Sequence, residues 1–337
     1  MQVPPKVTCE KPALPTLWID TSVIINIAKV QHGLVHDQIT IDRTNQLRAL
    51  VEELTQKNRL LCPQADQEEE YTAYSLDREI HGEFLSLSVG VRMRHRQGVS
   101  DYHAMMGMRA YIEGAPEIVI PASSFFYGNP VEEQTAALGR PFLIGTHPIM
   151  VPDEIQRRAT GKEQVQQAWE QLRQEFVANR VSYDAQLIAE ESGYADTIGD
   201  RLVRFHASIA AGKSDMWDFL GVEDILMFNV YWKDIGGKPD GLAGLEQFFR
   251  TRYFNNLPLT RVKAQLGADL LTGDQKIVPS DVMDVELMGA AIPISHFVLT
   301  DRRVALRVKR RGIDQEWNTE VFSLQTIDDL FIGLREL

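Results

Sequence analysis

The chain has 337 residues, 44% of them hydrophobic and 24% charged, the proportions of a globular protein with enough apolar material for one large core or two smaller ones. Its formal charge of −12 argues against coating nucleic acid through charge alone, and does not exclude an enzyme that binds phosphates through metal ions. Cys9 and Cys62 are too few for a disulfide framework, and neither a leader nor an apolar run of about 18 residues is evident, so a cytoplasmic protein with no membrane segment is expected.

The first dozen residues are rich in proline and read as an arm. Leu17 to Ile19 then read as a short buried strand that stops at Asp20, with Thr21 or Ser22 capping a helix that starts at Val23. Asp20 as a plain cap is the simpler alternative; a carboxylate at the carboxyl end of a strand is also where open parallel sheets place their chemistry. Residues 42–57 have Leu47, Leu50, Val51 and Leu54 at helical spacing. Arg59 to Cys62 form a second short apolar run, ended by Pro63 and followed by the acidic stretch Asp66 to Glu70. From about residue 71 to 270 the chain is mostly helical. Glu163 to Ala178 sets Trp169, Leu172 and Phe176 on one face, and loops interrupt the region at 116–152 and 233–244. Pro279 to Ala291 read as a helix capped by Ser280 or Asp281, and His296 to Thr300 as a strand ending on Asp301. A helix over 304–311 follows, closed by Gly312, then a last strand at Val321 to Ser323 and a helix at 327–334. Strands alternating with helices imply right-handed crossovers and a parallel sheet.

Several of these elements carry acids at their ends. Asp20 and Asp301 each end a strand, Glu69 and Glu70 follow another, and Asp281 and Asp284 stand three apart on a helix. Carboxylates gathered on one sheet edge repel one another and take up protons unless cations neutralise them. Hard ions such as Mg²⁺ or Mn²⁺ accept oxygen ligands, and a pair about 3.5–4 Å apart activates water and stabilises the leaving oxygen of a phosphodiester. Each acid alone reads as a cap or a solvated side chain; the joint pattern points to a metal site.

Leu-Trp-Ile-Asp-Thr-Ser at 17–22, Asp-Val-Met-Asp at 281–284 and Phe-Val-Leu-Thr-Asp at 297–301 together resemble the PIN-domain nucleases. The resemblance implies an α/β fold whose central parallel sheet, flanked by helices, gathers three or four acids around one or two divalent ions to cleave RNA, or in some branches structured DNA. It assigns Asp20 as the first acid, Glu70 or else Glu69 as the second, Asp284 with Asp281 as competitor as the third, and Asp301 as the fourth. Thr21, Ser22 and Thr300 would support them. Ser22 stands where many members have Asn, and the glutamate register among 68, 69 and 70 is open. The larger departure is an insertion of about 200 residues. The expected division is therefore a nuclease core from 1–75 and 276–337, with a mostly helical insertion at 76–275 that caps the site or binds a partner or a second copy.

Two basic patches follow from the sequence, one at Arg92, Arg94, His95 and Arg96, the other on the helix after Asp301. The second, with Arg302, Arg303, Arg307 and Arg310, would hold the backbone of a nucleic acid, expected to be RNA, or would simply be a solvated face. The expected function is a divalent-metal-dependent endonuclease in which a metal-activated water hydrolyses phosphodiester bonds. A metal-dependent phosphohydrolase of small phosphate esters and a non-catalytic PIN-like scaffold are the alternatives. Phosphatases of the haloacid-dehalogenase type need a second acid two residues after the first, and Ser22 occupies that position.

Overall fold

The computed structural model describes residues 4–72, 74–140, 152–212 and 222–337, apart from the side chains at 69, 152–155 and 158. Its strands in chain order are β1 (Lys6–Cys9), β2 (Leu17–Ile19), β3 (Glu117–Ile120), β4 (Phe297–Thr300) and β5 (Glu320–Ser323). The helices up to the middle of the chain are α1 (Thr21–Gln31), α2 (Gln38–Gln56), α3 (Glu68–Tyr71), α4 (Asp77–Ser88), α5 (Arg96–Glu113), α6 (Pro130–Leu138), α7 (Pro152–Ala178) and α8 (Tyr183–Ala210). After them come α9 (Glu223–Asp234), α10 (Leu242–Phe249), α11 (Arg252–Asn255), α12 (Pro258–Thr272), α13 (Pro279–Ile294), α14 (Arg302–Arg310), α15 (Ile313–Glu316) and α16 (Ile327–Arg335). Among the described residues no helix is long and apolar enough to cross a membrane.

The central sheet has the order β2-β4-β5 and is parallel throughout, with Leu17 paired to Phe297, Ile19 to Leu299, and Thr300 to Ser323. Leu17, Trp18 and Ile19 are all buried, which is why the strand reads as an unbroken apolar run rather than an alternating one. Beyond β2 the ribbon continues through single parallel bridges, Thr16 to Leu61 and Gln64 to Arg92, and an antiparallel one, Met93 to Phe126. The expected second strand at 59–62 is thus an extended segment held by one bridge, with Leu17 N–H on Leu61 O at 2.8 Å. Pro63 limits its length, since it has no N–H to add to a ladder.

Two compact units divide the chain. One comprises Cys9–Arg96, Pro121–Leu172 and Lys276–Leu337; the other comprises Met1–Thr8, Gln97–Ile120 and Arg173–Gln275. These bounds differ from an insertion at 76–275, because among the described residues those at 77–96, 121–140 and 152–172 group with the central sheet. Its core shows the reason on α4, where Ile80, Phe84 and Leu87 join Ile24 and Ile27 of α1, Leu47 and Val51 of α2, and Leu330 of α16. In the other unit an aromatic cluster fills the interior, with Phe249 at 4.7 Å from both Tyr194 and Phe254 between ring centroids. Arg252 and Arg261 there share Oε1 of the buried Glu191, each at 2.7 Å.

Candidate functional site

The cleft is built from strand ends. Asp20 follows β2 and is itself the cap of α1, in place of the expected Thr21 or Ser22: its Oδ1 accepts the Ser22 N–H at 2.7 Å. Its Oδ2 accepts the Thr300 hydroxyl at 3.1 Å, and its own N–H reaches Leu299 O at 2.8 Å. Asp301 repeats the arrangement one strand over, capping α14 through Oδ1, which accepts the Arg303 and Val304 N–H groups at 2.6 and 3.1 Å. Parallel neighbours end on the same edge, so the two caps sit side by side. Asp20 is therefore both a cap and a wall of the cleft.

Glu70 arrives from α3, whose placement depends on a side chain that carries no signal in the sequence. Gln67 is fully buried, donates to Ile19 O at 2.6 Å and accepts the Ala65 N–H at 3.1 Å, which ties α3 to the end of β2. Glu70 then accepts a hydrogen bond from the Thr21 hydroxyl. Asp284 projects from α13. These four acids line one cleft of about 430 Å³ together with Asn26, Lys29, Tyr74 and Lys162.

Burial and mutual repulsion govern the charges. Asp284 is only 8% exposed, and its carboxyl is held well above the usual range, first by burial and then by the nearby charges of Asp20, Glu70, Asp301 and Asp281. Asp20 is also raised, chiefly by burial and in part by Asp301, against the hydrogen bonds from Ser22 and Thr300 that favour its ionised form. The cleft thus keeps a proton or takes a cation. Its donors are all oxygen, the chemistry that a hard divalent ion accepts, and in that respect the residues fit one. Among the described residues no group of three or more His, Cys, Asp or Glu side chains is arranged to hold a metal ion. The oxygens described above are turned instead to the hydroxyl and N–H donors of the surrounding strand and helix ends.

Other candidates lie elsewhere. Asp281 does not line the cleft: its Oδ1 accepts from the Arg307 guanidinium at 2.6 Å, and its Oδ2 accepts the Val278 N–H at 2.7 Å with Arg303 at 3.3 Å. It stabilises the start of α13 without being its cap, because Val278 takes that position and Pro279 the first helical one. The same contacts correct the reading of α14 as a single basic face for nucleic acid. Arg303 and Arg307, four apart, turn inward to Asp281, and Arg307 is buried, whereas Arg302 and Arg310 are exposed. Glu68 pairs with Arg92, so of the three glutamates it is directed away, and the side chain of Glu69 lies outside the described residues. Arg96 binds Asp66 through its N–H at 2.7 Å. His296 accepts the Thr16 N–H at 3.0 Å on Nδ1, a structural role.

Asn26, Lys29, Tyr74 and Lys162 were not anticipated. For α1 a signal existed, since Ser22, Asn26 and Lys29 fall on one helical face. For Lys162 there was none. No family model, curated protein or solved structure matches this chain, so a functional reading rests on the cleft alone.

Proposed function

We propose that the chain is a PIN-like, divalent-cation-dependent endonuclease that hydrolyses phosphodiester bonds in RNA. The observation that carries the reading is the convergence on one cleft of Asp20, Glu70, Asp284 and Asp301, from four separate elements, with two of them ending adjacent parallel strands. Mg²⁺ or Mn²⁺, held by these carboxylates, would supply Lewis acidity toward water and phosphate.

The chain's own groups prepare that site. Thr300 and the Ser22 N–H fix the Asp20 carboxylate and favour its charged form, while Thr21 sets the rotamer of Glu70. Asp284, the most strongly proton-holding of the set, must release its proton before it can bind a cation, so cation affinity rises with pH. The N-terminus of α1 directs partial positive charge toward the same edge, which suits an incoming phosphate.

Labelled RNA and single-stranded DNA incubated with the protein in EDTA, Mg²⁺ and Mn²⁺, beside Asp20→Asn and Asp301→Asn, test the reading. RNA cleavage with either cation is expected, none in EDTA, and a loss of about a hundredfold or more in each variant. Cleavage that persists equally in EDTA or in the variants overturns it. Hydrolysis of small phosphate monoesters with RNA left intact would move the assignment to a phosphohydrolase.

A further inference from the structure

Helix α7 lies outside the part of the chain that resembles a nuclease core, yet it contributes Lys162 to the acidic cleft. Lys162, Gln166 and Glu170 are spaced at i, i+4 and i+8 and so share a face of the helix. The last two stitch that face to a single residue of the neighbouring loop. Gln166 Nε2 donates to the Ile277 carbonyl at 2.8 Å, and Glu170 Oε2 accepts the Ile277 N–H at 2.9 Å. Ile277 and Glu170 are both buried, and Pro279 and Ser280, two and three residues further on, are themselves walls of the cleft. The helix is thereby fixed in register with the loop that leads into α13 and Asp284. Lys29, from the third turn of α1, lines the same cleft, as does Tyr74, which is 47% exposed and follows Glu70 by four residues.

Four carboxylates and two lysines line this one space. An anion entering it meets repulsion from the carboxylates and attraction from two separate lysines, a mixture suited to a chain of phosphates and poorly suited to one isolated phosphate. Resting on the nuclease reading above, we infer that α7 is a substrate-gripping arm: Lys162 and Lys29 hold phosphates on either side of the scissile one, and Tyr74 offers a face on which a neighbouring base stacks. Gln166 and Glu170 are positioning residues for Lys162. A cleft of about 430 Å³ is at the small end of ligand pockets and admits one extended strand, not a duplex.

The test is fluorescence anisotropy with a short labelled oligoribonucleotide and the full chain in Ca²⁺, read as log affinity against log salt. Each lysine withdrawn from a phosphate of a single strand lowers the slope by about 0.7, so Lys29→Ala with Lys162→Ala is expected to lower it by about 1.4. Lys162→Arg is expected to keep the wild-type slope. Gln166→Ala with Glu170→Ala, which leaves Lys162 in place, is expected to lower the slope by about 0.7 while circular dichroism stays unchanged. An unchanged slope in the double lysine variant, or no binding by the wild-type chain, overturns the inference. Cleavage that survives beside an unchanged slope removes the grip and leaves the nuclease reading standing; a lowered slope without cleavage under any cation does the reverse.

Discussion

The hydroxyl of Thr300 donates to Oδ2 of Asp20 at 3.1 Å, joining the end of β4 to the cap of α1 across 280 residues of sequence. The bond lies in a buried setting, where it favours the charged carboxylate against the desolvation that opposes it.

Replacing Thr300 by Val removes that donor and pushes the Asp20 carboxyl still further up. A hydrogen bond worth about 1 kcal/mol corresponds to a shift of about 0.7 pH unit. The acid limb of the pH–rate profile for RNA cleavage is expected to move to higher pH by about that amount, and Thr300→Ser to restore it. An unmoved limb would show that Asp20 does not titrate in the rate-determining form.

Asp284 makes the cation-free fold pH-sensitive. Its pKa is raised on folding above the ordinary 3.8, so the folded chain binds more protons than the unfolded one between those two values. Its contribution to stability is therefore greatest at low pH and is lost as pH rises through the raised value. Asp284→Asn is expected to reduce this slope to the smaller part that the raised Asp20 contributes, and to stabilise the protein in EDTA at neutral pH by about 1–3 kcal/mol. Urea denaturation at a series of pH values measures both effects; a variant less stable than the wild type at neutral pH would contradict them.

Mg²⁺ or Mn²⁺ should relieve the same repulsion. At a hundred times its dissociation constant a cation that binds only the folded form adds about 2.7 kcal/mol, seen as a rise in melting temperature. The rise is expected to be larger at pH 8 than at pH 5, because protons compete for the carboxylates, and to shrink in Asp284→Asn. A melting temperature indifferent to both cations would remove the cleft as a metal site.

Arg307 and Arg302 should separate cleanly although both belong to the basic run after Asp301. Arg307→Met leaves Oδ1 of the buried Asp281 without its guanidinium while Arg303 and the Val278 N–H stay on Oδ2, and is expected to cost about 1.5–3 kcal/mol, with the salt dependence of RNA binding unchanged. The exposed Arg302→Ala should alter stability by no more than about 0.5 kcal/mol. Chemical denaturation of the two variants decides the matter.

Much of the framework was legible because it rests on local chemistry. The apolar run at 17–19, the acid that ends it and the mirror of that pattern at 297–301 are set by burial and capping, which a single sequence displays. What sequence did not display were long-range pairings between polar groups. Gln67 reads as an ordinary polar residue until its amide is seen bound to Ile19 O, and that bond is what selects Glu70 over Glu68 for the cleft. Arg303 and Arg307 look like surface charge until Asp281 faces them. On α7 the visible signal is the apolar spacing of Trp169, Leu172 and Phe176, yet Leu172 is 40% exposed, and it is the polar Gln166 and Glu170 that anchor the helix. Hydrophobic periodicity is silent about helices held by amide and carboxylate contacts to a loop.

The pairing of residues 17–19 with 297–299 also has a consequence for synthesis. Asp20 and Glu70 are made well before the strand beside them and the other two acids, which are complete only when residues near 300 are reached. At about 5–20 residues per second the stretch from Glu70 to Asp301 takes roughly ten to fifty seconds. A cleft so arranged cannot be complete until residues near 300 have been made, so whatever it binds is bound only by a chain already extended that far.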